Sequence, residues 1–391
     1  MTIAGRQQQA HSGRIRLGMV GGGQGAFIGA VHRTAARIDD QFELVAGALS
    51  SDAERAKLSA REIGLAEDRT YSSYEEMAKA EAARPDGIEA VSIVTPNHLH
   101  APAARAFLNA GIHVICDKPM TTTVAEAREL VDLVGRSGKI FCLTHNYTGY
   151  PMIRQARAMV ASGELGTIRL VQVEYPQDWL TRRAELSGSK QAEWRTDPKR
   201  SGAGGSIGDI GTHAYNIAAF VTGLEIEELL AQLTTFAPGR QLDDDVQILL
   251  RYRGGARGML WASQVAVGNE NGLKLRVYGT EAGLEWTQAD PNYLWFTRFS
   301  EPKQLLTRGG AGARAEAIRV TRLPSGHPEG YFEAFATIYT EAARAIRAAR
   351  AGGTPDRDVL YPTVEDGLEG MLFIEAAVES SRKGSVWTRL A

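Results

Sequence analysis

The chain has 391 residues, 43% of them hydrophobic, with 44 Lys and Arg against 46 Asp and Glu and a formal charge of -2. At roughly 150 residues per domain this is a two-domain length, and the near-neutral balance gives no global attraction to nucleic acid or to an anionic membrane. No apolar run approaches the roughly 20 residues of a membrane span, so nucleic acid and membrane are not expected partners and a cytoplasmic protein is expected.

Residues 1–14 form a polar, Gln-rich stretch without the apolar centre of a leader and are expected to be a flexible tail. Ile15 to Val20 is a short apolar run broken by Gly21-Gly22-Gly23; Ala26 to Ile38 has helical character, and Phe42 to Leu49 reads as a second strand. The alternation continues through a helix at 52–63, a strand at 88–94, a helix at 101–110, a strand at 113–116, a helix at 124–137 and a strand at 140–143. Repeated strand-helix units need right-handed crossovers and give a parallel sheet covered on both faces. Residues 15–143 are therefore expected to be a Rossmann-like α/β domain, with a second domain over 144–391. Cys116 and Cys142 sit in apolar strand runs, as buried thiols of a reducing compartment do.

Glycines after a first strand let the backbone approach a pyrophosphate, which then sits on the positive end of the next helix. Here Gly21 and Gly23 are followed by Gln24-Gly25-Ala26-Phe27-Ile28 before Gly29, a loop longer than the usual spacing. These residues are the expected cofactor loop. The acid that holds the adenosine ribose is missing after the second strand, where Leu49-Ser50-Ser51-Asp52 stands. Ser50 and Ser51 suit a ribose hydroxyl or a 2′-phosphate, Arg55 favours the phosphate and Asp52 opposes it. NAD is favoured, with NADP left open.

Ligands of open α/β sheets bind outside the carboxyl ends of the strands. Two loops there carry polar chemistry: Thr95-Pro96-Asn97-His98-Leu99-His100 and Asp117-Lys118-Pro119. A strand-end lysine is commonly a solvated loop residue; desolvated beside a cofactor it suits proton transfer with a hydroxyl. Further on, the lead 201–208 enters a helix expected from Asp209 to Phe220, in which Asp209 and His213 stand four apart on one face. Such a pair either fixes a structural imidazole or orients a general base. No third ligand stands at a metal spacing, so no metal is expected.

Taken together, Val20-Gly21-Gly22-Gly23 with Gly29 and His32, Thr95-Pro96-Asn97-His98-x-His100, Asp117-Lys118-Pro119-Met120 and Gly204-Gly205-Ser206-Ile207-x-Asp209-x-Gly211-x-His213 resemble the Gfo/Idh/MocA oxidoreductases over about residues 15–390. The resemblance implies a second domain with a large open, mostly antiparallel sheet that binds substrate and makes homodimers or homotetramers. It also implies that Lys118 and His213 handle a substrate hydroxyl proton with Asp209 nearby, and that Asn97 and Pro119 help to place the nicotinamide; Thr95, His100, Asp117 and Lys118 are further expected cofactor contacts. The long glycine loop, the missing ribose acid and Asp117 in place of the commoner Glu depart from the pattern.

Between 174 and 200 lies a polar, aromatic and basic insertion containing Trp179, Arg182, Trp194 and Arg195. It reads either as a solvated loop or as aromatic faces and guanidiniums for a sugar, including an anionic one. His145 and Tyr147 at the domain junction are further substrate candidates. The expected activity is oxidation of a sugar ring hydroxyl, most naturally C3 of a pyranose, with hydride passing to the nicotinamide. The alternative is an NAD-dependent glycosidase acting by transient C3 oxidation, elimination and water addition, as on sulfoquinovosides. Beyond residue 229 four alternating runs predict an antiparallel sheet, with a hairpin at Arg253-Gly254-Gly255.

Overall fold

The computed structural model describes residues 13–390, so residues 1–12 of the expected tail lie outside the described part. Strands β1 (Ile15–Gly21), β2 (Phe42–Ala48), β3 (Ala90–Val94), β4 (His113–Cys116) and β5 (Phe141–Leu143) form a parallel sheet in the order β2-β1-β3-β4-β5. Helices α1 (Phe27–Ile38), α2 (Ala53–Glu62), α3 (Tyr74–Ala83), α4 (His100–Asn109) and α5 (Val124–Ser137) supply the crossovers. β3 and β4 are buried at every residue, as expected of strands covered on both faces. The Rossmann expectation is met, and Cys116 and Cys142 are buried, free thiols on neighbouring strands.

The chain does not divide at a single point near residue 143. Among the described residues the first unit comprises those from 13 to Thr121, Ala125–Gly149 and Tyr331–Leu368. Phe335, Ile338, Tyr339 and Ile346 on the later segment share one core with Ile15, Leu17, Val31 and Phe42. Burying a side chain of that size stabilises by about 1.5–3 kcal/mol, which explains why a distant helix joins this unit. In the same core the Tyr339 hydroxyl lies 2.8 Å from both His32 Nδ1 and Ser92 Oγ.

The second unit comprises Thr122–Val124, Tyr150–Gly330 and the described residues from Glu369 to 390. Its strands are β6 (Ile168–Pro176), β7 (Ile226–Thr234), β8 (Asp245–Tyr252), β9 (Arg257–Ser263), β10 (Lys274–Gly279), β11 (Ala282–Thr287), β12 (Tyr293–Arg298), β13 (Gln304–Thr307) and β14 (Thr388–Arg389). They form one sheet in the order β13-β12-β11-β10-β6-β9-β8-β7-β14. The pairing is antiparallel except between β6 and β9. One face buries Val171, Val173, Ile248, Leu260, Leu275 and Leu284, with α6 (Pro151–Ala161) and α9 (Thr212–Thr222) among the helices packed on the sheet. The other exposes Leu170, Leu249, Met259, Tyr293 and Trp295. The insertion folds into α7 (Lys190–Arg195) and α8 (Pro198–Ser201), and α10 (Ala315–Val320), α11 (Tyr331–Arg350) and α12 (Val364–Arg382) complete the helices.

Candidate functional site

In the first unit the turn between β1 and α1 is built for close backbone approach. Gly21 and Gly22 hold φ values of 81° and 72°, which only glycine adopts without strain. A Cβ on Gly29 would lie 2.3 Å from the Gly22 carbonyl oxygen, and one on Gly23 would lie 2.7 Å from the Leu49 oxygen. α1 begins with no side-chain cap and no acid in its first turn, so its N-terminal amides carry no competing carboxylate of their own helix. At the end of β3 the Thr95 hydroxyl is buried without a hydrogen-bond partner. A glycine cradle, a helix N-terminus and an orphaned hydroxyl at one sheet edge fit the pyrophosphate and nicotinamide ends of a dinucleotide. Gly25 and Ala26 continue the turn, Ile28 is half-buried, and Phe27 is 66% exposed beside them.

Three of the expected cofactor contacts have other partners. The Gln24 amide side chain donates to Glu62, while its backbone N–H donates to Ser59 Oγ at 3.0 Å. Ser50 Oγ accepts from the Asp52 N–H at 3.1 Å, and Asp52 caps α2 by accepting from Arg55 N–H at 2.8 Å. His100 is buried between the two strand-end loops. Its ring nitrogens face the Pro119 oxygen at 2.7 Å and the Thr95 oxygen at 2.9 Å, making it a strut between the two strand-end loops. Burial lowers its proton affinity, opposed by nearby Asp117; the neutral ring then donates to one of these carbonyls. Ser51 and Arg55 are exposed, and Asn97 is buried.

Lys118 stands between β4 and a cis bond to Pro119. Asp117 Oδ1 accepts both the Lys118 N–H, at 3.0 Å, and the Thr144 hydroxyl, at 2.9 Å. A single carboxylate thus ties the lysine backbone to the segment that follows β5. His145 and Tyr147 are 2% and 4% exposed. Burial pushes the His145 imidazole down to about 3, and the charge of Lys118 acts in the same direction. At neutral pH His145 is therefore an uncharged polar group near an ammonium.

In the second unit Asp209 does not lie in a regular helix. Ile207–Gly211 is a π turn leading into α9, and its opening is pinned by Asp243. That carboxylate accepts from Gly205 N–H at 2.6 Å and Ile207 N–H at 2.8 Å. Asp209 Oδ2 accepts from Gln264 Nε2 at 2.9 Å and lies 3.3 Å from Arg195 Nε. His213 is 8% exposed, with its ring 6.3 Å from that of Tyr175.

Three of the insertion's arginines pair with carboxylates. Arg195 lies over the Trp194 ring, donates to Gln191 and pairs with Asp209. Arg183 pairs with Glu185, and Arg200 with Glu193. Trp179 donates to Gln177 and remains 37% exposed, while Arg182 is exposed and its carbonyl accepts from Arg240. Among the described residues no group of three or more His, Cys, Asp or Glu is placed to hold a metal, and no helix is long and apolar enough to cross a membrane. Asp243, Gln264 and Arg240 escaped the sequence reading. A run of three acids, Asp243-Asp244-Asp245, was the one visible signal.

The profile of the oxidoreductase family with an NAD-binding Rossmann fold matches residues 15–145, and that of the GFO/IDH/MocA C-terminal domain matches residues 153–285. A crystal structure of an oxidoreductase from Sinorhizobium meliloti is 57% identical, covers 96% of this chain and 99% of its own, and superposes with a TM-score of 0.87. An inositol dehydrogenase homologue from Azotobacter vinelandii, solved with NADH and myo-inositol, is 37% identical with a TM-score of 0.91, covering 97% and 98% of the two chains. The levoglucosan dehydrogenase of Pseudarthrobacter phenanthrenivorans is 27% identical over 95% of this chain and 97% of its own. With both profiles matched and the glycine cradle in place, the chain belongs to the Gfo/Idh/MocA oxidoreductase family, and its first unit is an NAD-binding Rossmann fold.

Proposed function

We propose that this NAD-dependent oxidoreductase oxidises a ring hydroxyl of an uncharged cyclic polyol or sugar. The observation that carries the reading is the clamped Lys118 beside an uncharged, buried His145. NAD, when bound, supplies the two-electron acceptor, and the Gly21–Gly29 turn with Thr95 is what fits it. Lys118 and His213 are assigned to the proton of the oxidised hydroxyl, and Asp209 to orienting His213. Tyr147, His145, Trp179 and Trp194 are assigned to the ring and its other hydroxyls. The pairing of Arg183, Arg195 and Arg200 with carboxylates favours a neutral substrate over a sulfonated one. Names of related proteins point the same way, since one is a myo-inositol complex and another acts on levoglucosan.

The test is NADH formation on a panel of neutral polyols, with nitrophenyl glycosides, neutral and sulfonated, run in parallel. Stoichiometric NADH on a polyol without aglycone release is expected. Repeated release of nitrophenol with no net NADH would instead support a redox glycosidase.

Cys116 and Cys142 on neighbouring strands, unbridged, support a reducing, cytoplasmic setting. Leu249 stands opposite Met259 on the open sheet face, with Leu170 and Trp295 exposed on the same sheet, supporting homo-oligomerisation through that face. Met259→Glu is expected to lower the solution mass to that of a smaller assembly, read by light scattering.

A further inference from the structure

We propose that Asp243 and Gln264 are positioning residues that set the Asp209 and His213 segment from the paired ends of β8 and β9. The proposal rests on Asp209 and His213 acting on the substrate. Asp245 of β8 pairs with Ser263 of β9 as the last rung of that ladder. The next residues continue it, since Gln264 N–H donates to the Asp244 oxygen at 2.8 Å. Asp243 and Gln264 therefore leave the sheet at fixed places, one on each strand.

From there each reaches the π turn by a different route. Asp243, 7% exposed, takes the Gly205 and Ile207 N–H groups on its two carboxylate oxygens, while its own carbonyl takes Ser206 N–H at 2.9 Å. Three successive amides at the opening of the turn thus end on one residue. The approach is close enough that a Cβ on Gly205 would lie 2.1 Å from the Asp243 oxygen, which gives the glycine a geometric reason. Gln264, 2% exposed, then holds the side chain the turn presents, donating to Asp209 Oδ2. Its own carbonyl accepts from Leu180 N–H at 3.0 Å, tying it to the start of the insertion. Arg195 meets the same Asp209 oxygen from α7. Asp244, between the two anchors in sequence, is occupied elsewhere by Arg240 and by the Phe236 and Ala237 N–H groups.

A half-buried carboxylate that accepts from a fixed amide and pairs with a guanidinium is held in one orientation. Removing the amide leaves the charge but frees its direction, which matters for a group that orients a proton acceptor.

The experiment uses the full chain with NAD and with myo-inositol as the probe. Gln264→Leu is expected to lower kcat by about ten-fold or more with KM for NAD and for myo-inositol changed by less than about three-fold. Asp243→Asn, which keeps one accepting oxygen, is expected to retain more activity than Asp243→Ala. Equal kcat in Gln264→Leu and wild type, with His213→Ala inactive, would overturn the positioning role while leaving the proposed function standing. A fully active His213→Ala would remove the function assignment itself. Hydrogen exchange needs no substrate and covers the case in which myo-inositol is not turned over. Faster exchange of residues 205–211 in Asp243→Asn, with β8 and β9 unchanged, is expected, and unaltered exchange there would overturn the anchoring. If Asp243→Ala does not fold, Gln264→Leu and Asp243→Asn still decide the question.

Discussion

Lys118 and Asp209 are held by opposite strategies. Lys118 is fixed from next door: Asp117 accepts its backbone N–H, and the hydroxyl on the same oxygen belongs to Thr144, just after the adjacent strand. The turn carrying Asp209 is fixed from afar, by Asp243, 38 positions from Gly205, and by Gln264, 55 positions from Asp209. A parallel sheet delivers its strand-end loops to one edge by topology alone. An antiparallel sheet has no such common edge, so the second unit must build its anchor from residues that the register brings together. The first arrangement depends on local chemistry, and the second on pairing of β8 with β9.

The sharpest way to break this contrast is Lys118→Ala. Loss of a proton-transfer group costs about 10²–10⁴-fold in rate, or roughly 3–5 kcal/mol of barrier. Polyol-dependent NADH formation should fall by that factor, while the melting temperature stays near that of wild type because Asp117 and Thr144 still bind each other. The opposite signature is expected of Arg240→Met. Its guanidinium is 1% exposed, pairs with Asp244 and Glu185, and donates to the Leu180 and Arg182 carbonyls. Removing one partner of a buried pair costs about 3–5 kcal/mol, so denaturant unfolding should show a large loss of stability.

Much of the first strategy was legible in the sequence, and the reason is physical. The β-α alternation is a period signal, and Gly21, Gly29, Lys118 and Pro119 sit where strand patterns end. What could not be read there is long-range. Nothing near Tyr331 says that its helix packs with β1 and β2, because amphipathic spacing names a buried face without naming its partner. The helix expected from Asp209 begins instead two residues earlier, as a π turn over Ile207–Gly211, with the amides at its opening capped by the distant Asp243. The two backbone partners of His100, the Pro119 and Thr95 carbonyls, were likewise invisible in the sequence. The basic insertion stayed open between a solvated loop and a sugar or anion site because sequence shows the arginines but not that Glu185, Asp209 and Glu193 pair with three of them.

Acid sharpens the comparison between the units. Burial pushes His32 and His113 down to about 4 and His145 down to about 3, all in the first unit. His113 Nδ1 accepts from Ile140 N–H at 2.9 Å, which only the neutral ring can do. The unfolded chain binds these protons near pH 6.5 and the folded one does not, so their contribution is intact above that pH. It is lost as pH falls from about 6.5 toward 4, at roughly 1.4 kcal/mol per histidine per pH unit. Hydrogen exchange at pH 5 should therefore show β1 to β5 weakening before β6 to β12. Smallest of all is Lys303→Ala, whose exposed pair with Glu285 should contribute about 0.5 kcal/mol or less.

The most direct measurement follows the hydrogen itself: wild-type protein is given NAD and myo-inositol deuterated at every ring carbon, and the reduced cofactor is analysed by mass. One deuterium per NADH formed, with formation nearly abolished in Lys118→Ala, is the predicted result. Reduced cofactor without deuterium, or equal formation in Lys118→Ala, would contradict direct transfer from a ring carbon whose hydroxyl proton Lys118 handles.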